Sequence, residues 1–365
     1  MARPDVAVER LSASAYRIPT DGPESDGTIE WDATTLVVVE AEGGGRTGLG
    51  YTYADRTAAS IAARVLSDVV RGKDALDPPA AYRAMAVAVR NIGRPGVAGM
   101  ALSAVDAALW DLKARLLGLP LASLVGRFRT SVPIYGSGGF CSYTPERLAA
   151  QLGGWAAEGL AAVKMKVGRD ARSDPARVRT ARAAIGGAGL FVDANGAYSR
   201  KQALALADVF AREGVTWLEE PVSSDDLDGL RLLRDRAPAG MDIAAGEYGH
   251  DPIYFRRMLA AGAVDVLQAD ATRCGGATGF LAAAAVAAAF QTPLSSHCGP
   301  ALHVHLMCAA ETGLHAEWFH DHVRIEGMLF DGAPRPHGGA IAPDLSRPGL
   351  GLELKRRDAE RYAVT

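Results

Sequence analysis

The sequence predicts an α/β fold: a closed parallel (β/α)7β barrel, a TIM barrel with one helix fewer than strands, preceded by a smaller α+β domain. Three observations carry this. Lys166, Asp193, Glu219, Glu247, Asp270, His297 and Glu317 follow one another at spacings of 27, 26, 28, 23, 27 and 20 residues, about one strand plus a crossover helix and their loops. The residues ahead of these positions are apolar and β-branched or small, as in Gly189-Leu-Phe-Val-Asp193 and Val215-Thr-Trp-Leu-Glu219; they read as buried strands that end in a functional group. At 365 residues the chain also exceeds one average domain, so a barrel plus a smaller unit is the natural division.

Taken in order, the first stretch alternates like an antiparallel sheet. The residues from Val6 and from Thr34 look like strands, and Gly43-Gly-Gly-Arg-Thr-Gly48 suggests a hairpin returning along the second. Helical periodicity follows over 58–70 and 98–117, the latter stopped by Gly118-Leu-Pro120. Between Thr20 and Thr35 a Gly/Pro/Asp/Glu/Ser-rich stretch containing Trp31 is expected to be a mobile lid loop. From Ser131 strand candidates begin near Val132, Ala161, Leu190, Val215, Asp242, Val264, Thr292 and Leu314, with helices such as 145–158 and 201–213 between them. The expected division is 1–128 for the first domain and 129–337 for the barrel, with 338–365 returning to the first domain.

Composition narrows the class of protein. Hydrophobic residues make up 48% and charged ones 22%, ample for a core, and a net charge of −3 offers no field for nucleic acid or an anionic membrane. The start, Met1-Ala-Arg-Pro-Asp-Val6, lacks an apolar signal segment, and the apolar run from Phe280 to Phe290 is about half a bilayer span, better read as an Ala-rich buried helix. Cys141, Cys274, Cys298 and Cys308 show no CxxC pairing, which suits reduced thiols in a cytoplasm.

Barrel chemistry collects at the carboxyl ends of the strands. Lys164 and Lys166 share one strand face, and two close ammonium groups ease each other's proton loss, which suits a base near neutral pH. The chain has only six lysines, and two of them stand here. Asp193, Glu219 and Glu247 end three successive strands; three carboxylates at one mouth repel unless a cation sits among them, and oxygen ligands point to Mg2+ or Mn2+ rather than zinc. Asp270 and His297 make an acid/base dyad, the carboxylate fixing the imidazole tautomer. Glu317 is placed to donate or accept a hydrogen bond at a substrate carboxylate. His303-Val-His305 resembles a metal pair of other barrels, but it falls in a helical stretch where positions two apart diverge. His250, His315, His320 and His322 cluster near strand ends without an identifiable partner.

These motifs resemble the mandelate racemase subgroup of the enolase superfamily. The matching elements are Lys164-Met-Lys166, Asp193-Ala-Asn195, Glu219-Glu-Pro221, Gly246-Glu247, Asp270 with Gly275-Gly276, His297, and Ala101-Leu-Ser-Ala-Val-Asp-Ala-Ala-Leu-Trp-Asp-Leu112. The resemblance spans nearly the whole chain and implies a capping domain over a (β/α)7β barrel. It implies Asp193, Glu219 and Glu247 as Mg2+ ligands, Lys166 as the base on one face of the substrate and His297 with Asp270 as the acid/base on the other. Lys164 would assist at the carboxylate, Asn195 would contact a substrate hydroxyl, and Glu317 would hydrogen-bond the developing enediolate. The implied step is removal of the proton α to a carboxylate. The polar lid, with Asp21, Glu24, Asp26, Glu30 and Asp32, favours a polyhydroxy acid and hence dehydration of a sugar acid. A racemase or epimerase, a lactone cycloisomerase, and a non-catalytic binding barrel are the alternatives, the last disfavoured because every catalytic residue type is retained. Trp31 and Tyr53 are expected at the substrate, and a cytoplasmic homo-oligomer of two to eight chains is expected.

Overall fold

Eight parallel strands close on themselves in this computed structural model, which describes residues 6–364. Residues 1–5, which hold the start of the segment read above for a signal, and residue 365 lie outside the described residues. Three strands come first, β1 (Arg10–Ser25), β2 (Glu30–Gly43) and β3 (Arg46–Tyr53), antiparallel in that order. β2 and β3 are joined through Gly44 and Gly45, both at positive φ as a tight hairpin requires. The barrel follows as β4 (Val132–Gly138), β5 (Ala162–Lys166), β6 (Gly189–Asp193), β7 (Val215–Glu219), β8 (Asp242–Ala245), β9 (Val266–Ala269), β10 (Leu294–Ser296) and β11 (Gly313–Phe319). β11 pairs back with β4, Glu317 beside Tyr135, so no edge is left open.

Seven helices join these eight strands, and an eighth, His320–Leu329, leaves β11 without a connecting loop. Local chemistry starts several of them. Thr144 caps Pro145–Ala157, Ser199 and Gln202 form a capping box on Arg200–Arg212, and Asp251 accepts two backbone N–H groups at the head of Pro252–Ala260. The apolar run near Phe280 is the helix Gly276–Ala289, packed between neighbouring helices. Among the described residues no helix is long and apolar enough to cross a membrane.

Two expectations change. The stretch 20–35 is not a loop: β1 and β2 stay paired out to Ser25 and Glu30, with a register slip between Pro19 and Glu24. Only residues 26–29 turn, held by Asp26, whose Oδ1 accepts from the N–H groups of Thr28 and Ile29. Composition mimics a loop here because cross-strand pairing is non-local and overrides weak local preference. The helix expected over 58–70 is continuous in course but carries a π turn at Ala62–Leu66.

The first domain seats on the barrel through the helix Val97–Leu117. On one side it approaches β3 so closely that a Cβ on Gly48 or Gly50 would lie 2.2–2.6 Å from helix atoms. On the other, Asp106 accepts from Thr278 N (2.9 Å), Trp110 Nε1 donates to Thr278 Oγ1 (2.8 Å), and Gly275 N donates to Ser103 Oγ (2.8 Å). From Gly338 the chain pairs with β4 at Ala340–Ile341, donates Leu350 N to Asp111, and ends beside β1 at Ala363–Val364.

A second seam is polar and buried. Tyr51 Oη lies 2.6 Å from Glu326 Oε1 and accepts from Leu302 N, while Glu326 Oε2 accepts from Ala301 N. Burial pushes the Glu326 carboxyl up to about 8, against the pull of its hydrogen bonds. An acid raised in the folded state contributes stability that is fully present below its unfolded pKa and lost as pH rises toward the folded one. Glu326→Gln is therefore expected to flatten the part of the decline in stability between about pH 4.5 and 8, read by denaturant midpoints across that range; an unchanged slope would remove Glu326 as its source.

Candidate active site

Alternation along the strands stacks two layers inside the barrel. On β6 and β7 the inward residues are Phe191 then Asp193, and Trp217 then Glu219. The lower layer of Tyr135, Phe191, Trp217, Ala244 and Val266 seals the floor. The upper layer is charged and buried: Lys164, Asp193 and Glu219 are fully enclosed, and Glu247, Asp270 and Glu317 nearly so. Register sets neighbours side by side, Lys166 next to Asp193 and Asp193 next to Glu219.

Lys164 Nζ lies 2.6 Å from Glu219 Oε1, 2.8 Å from Glu317 Oε1 and 3.5 Å from Asp193 Oδ2, and Lys166 Nζ lies 2.5 Å from Asp193 Oδ2. Lys164 does ease proton loss from Lys166, as expected, but these contacts outweigh it. Burial disfavours both charges, yet Glu219 and Glu317 around Lys164, and Asp193 beside Lys166, outweigh it and hold both ammonium groups above their ordinary range. Glu317 accepts from Ser137 Oγ (2.6 Å), Cys298 N (2.8 Å) and Lys164. Burial raises it, Lys164 outweighs burial, and its carboxyl is held well below the usual range.

Asp193, Glu219 and Glu247 each offer an oxygen within 4.8 Å of the others. Burial and neighbouring Asp193 push Glu219 up to about 8 against the pull of Lys164, the response of a buried carboxylate crowded by others. Glu247 Oε2 is buried and makes no hydrogen bond, with His297 Nε2 3.3 Å away. An all-oxygen, enclosed, under-neutralised set of this kind fits a hard divalent cation.

Opposite Lys166, His297 Nδ1 pairs with Asp270 Oδ2 at 2.8 Å, and its Nε2 is 3.3 Å from Glu247 Oε2. Burial disfavours the imidazolium, but Glu247 and Asp270 raise His297 overall. Lys166 and His297 line one cavity of about 230 Å³, with Asn195, Glu247, Glu317 and Trp31. Asn195 sits at φ 45° with its Oδ1 unpartnered, a strained backbone of the kind that gathers at functional sites.

Tyr53 is not among the cavity-lining residues. It stands behind His322, ring stacked on ring at 3.4 Å, and His322 takes the cavity position. The lid acids also face elsewhere than expected. Asp21 meets Arg147 and His320, Glu30 meets Arg169, Asp32 meets Arg17, and buried Glu24 accepts from Trp31 Nε1. Of the five only Asp26 lines the cavity. Arg273 was not visible from sequence: three residues past Asp270, it lies 3.4 Å from Glu247 Oε1 and 3.6 Å from Asp270 Oδ2, over the ring of Tyr248. In a chain with 39 basic Lys and Arg residues, nothing local marks it.

The comparisons with known proteins agree with this geometry. A family model described as Enolase C-terminal domain-like matches residues 147–359, and one described as Mandelate racemase / muconate lactonizing enzyme, N-terminal domain matches residues 23–126. The chain belongs to the mandelate racemase subgroup of the enolase superfamily. This superfamily member is similar to a mandelate racemase/muconate lactonizing enzyme-like protein from Rubrobacter xylanophilus, at 59% identity and a TM-score of 0.96, covering 98% of this chain and 100% of that one. It is also similar to the 3,6-anhydro-alpha-L-galactonate cycloisomerase of Streptomyces coelicolor, 33% identical over 98% of this chain and 99% of the relative. A third is the L-talarate/galactarate dehydratase of Salmonella typhimurium, solved with Mg and L-lyxarohydroxamate, at 27% identity and a TM-score of 0.90 over 99% of this chain and 94% of that one.

The HxH motif is structural in this superfamily member. His303 Nδ1 faces the carbonyls of Cys298 and Gly299 while its Nε2 accepts from Ala271 N, and His305 lies between Ala122 N and the Leu350 carbonyl. His305→Ala is expected to cost about 1–3 kcal/mol of stability through its orphaned partners, with metal stoichiometry unchanged; loss of bound metal would restore the motif as a ligand pair.

Proposed function

We propose that the chain removes the proton α to the carboxylate of a sugar acid and expels the β-hydroxyl, giving a 2-keto-3-deoxy acid. The observation that carries this is the opposition of two acid/base groups, Lys166 and the His297–Asp270 pair, across one small cavity beside a cage of three carboxylates. Relatives named as sugar acid dehydratases support the same reaction.

Asp193, Glu219 and Glu247 are the metal ligands in this reading. A Mg2+ held among them would supply positive charge for the substrate carboxylate. Lys166 takes the α-proton on its face of the substrate. Lys164, fixed from below by Glu317 and Glu219, presents an ammonium where negative charge develops. His297, its tautomer set by Asp270, delivers a proton to the departing hydroxyl. Asn195 contacts a substrate hydroxyl with its unpartnered Oδ1. General base catalysis supplies about 10² to 10⁴ of the rate, so most of the barrier reduction falls to the preorganised charge. Cycloisomerisation shares the first half of this chemistry and differs in the leaving group. Four free cysteines support a reducing, cytoplasmic setting.

Incubation with Mg2+ and a panel of aldonic and aldaric acids is expected to yield a 2-keto-3-deoxy product; no product from any of them would refute the dehydratase reading. With a substrate whose α-proton faces Lys166, His297→Asn is expected to lower elimination by about 10² to 10⁴ while exchange of that proton with solvent deuterium persists. Chelation is expected to stop both reactions, and activity indifferent to chelator would contradict the role given to the three carboxylates.

A further inference from the structure

The cavity is charged unevenly. Its cationic side chains, Lys166, Arg273 and His297, all stand on the barrel side with the carboxylates. Arg273 is held there, between Glu247 and Asp270 and over Tyr248. The lid side is formed by Asp26, Ile29, Trp31, Ala33 and Thr34, a wall whose single charge is negative. The arginines nearest the lid, Arg17, Arg147, Arg169 and Arg324, pair with Asp32, Asp21, Glu30 and Asp321, and none of them lines the cavity.

Asp26 divides its work between its two oxygens. Oδ1 accepts from Thr28 N, Thr28 Oγ1 and Ile29 N, which closes the turn. Oδ2 makes no hydrogen bond among the described residues, and the side chain lines the cavity. Next to this wall His322 is seated by its stack on Tyr53, and its Nδ1 faces Gly299 N at 3.4 Å. An imidazole that accepts through Nδ1 carries its proton on Nε2, and His322 lines the cavity. Burial, with His297 nearby, keeps His322 well below the ordinary imidazole range, down to about 3, so it is a neutral donor rather than a cation.

Resting on the sugar-acid reading above, we infer that the substrate carries a single carboxylate, and that its far end is an uncharged polyol whose hydroxyls donate to Asp26 Oδ2 and accept from His322 Nε2. With the reacting carboxylate committed to the metal ligands and Lys164, the far end of the molecule faces the lid. A second carboxylate there would meet Asp26 with no cation on the lid wall to pair with, and like charges brought together in a closed cavity are strongly disfavoured. A hydroxyl satisfies both side chains. The class is therefore aldonic rather than aldaric.

The test uses the Mg2+-loaded full chain and matched pairs that differ only at the far end, D-gluconate with D-glucarate and D-galactonate with galactarate. Binding is read by calorimetry alongside turnover, so failure of the dehydratase reading, which appears as no keto-acid product from any acid, is distinguishable from failure of this inference, which appears in the affinity ratio. The monoacid of a pair is expected to bind at least about tenfold tighter than its diacid. Asp26→Asn keeps an oxygen for the three turn hydrogen bonds and presents an amide to the cavity. It is expected to narrow the ratio by raising diacid affinity. Ile29→Arg adds a cation to the same wall and is expected to shift preference further toward the diacid, while Asp32→Asn, on the outer side of the lid, is expected to leave the ratio unchanged. Equal or tighter binding of the diacids by the unaltered chain would overturn the inference, as would a ratio insensitive to both cavity substitutions.

Discussion

The arrangement rests on charge held out of water at the mouth of the barrel. Asp193, Glu219, Glu247, Asp270 and Glu317 are all buried within a few residues of one another in space, against the buried cations Lys164 and Lys166 and the partly buried Arg273. A buried charge without a partner costs several kcal/mol, and a pair recovers that only with close geometry. Lys164 meets the condition with two carboxylates within 2.8 Å. The acids outnumber the cations, and the surplus gathers at the three positions where a divalent ion fits. Imbalance of charge, rather than any one residue, makes this end of the barrel a site.

That imbalance can be built because the strands alternate. With a period of two, the residues that cap the charged layer and those that seal the floor come from the same strands, so Trp217 and Glu219 serve one site from two levels. The aromatic floor keeps water from entering below, where it would screen the charges above. Trp217 Nε1 also donates to Glu219 Oε2 at 2.9 Å, which ties the two layers together.

The lid reaches the site because the first domain is locked to the barrel at some distance from it. Ser103, Asp106 and Trp110 engage the head of the helix that begins at Gly276, and Tyr51 engages Glu326. Gly276 has positive φ, and a Cβ on it would lie 2.4 Å from Asp106 Oδ1. The Gly-Gly pair and the Ala101–Leu112 motif are therefore two halves of one contact. At the tip of the lid, Gly27 approaches the carbonyls of Val167 and Ala194 closely enough that a Cβ would collide with both. This contact brings the lid down beside the strand ends that carry Lys166 and Asn195.

By itself the sequence determined the eight barrel strands to within about two residues, the helices between them, and the ring of Lys164, Lys166, Asp193, Glu219, Glu247, Asp270, His297 and Glu317. Those are repeated, local signals: an apolar run, a period, a functional group at the strand end. Where contacts span the chain, local signals mislead. The polar stretch 20–35 reads as a loop but is paired strand, Tyr53 reads as a substrate contact but backs His322, and of the five lid acids three pair with arginines away from the cavity while Glu24 is buried against Trp31. The protonation of Lys166 was also beyond it, because Asp193, 27 residues on, outweighs the lysine next door. Tertiary structure alone decided which side chains face the cavity, and so which end of a substrate meets charge. Burial and pairing are properties of neighbours in space, and strand pairing brings together residues whose separation along the chain carries no mark of it.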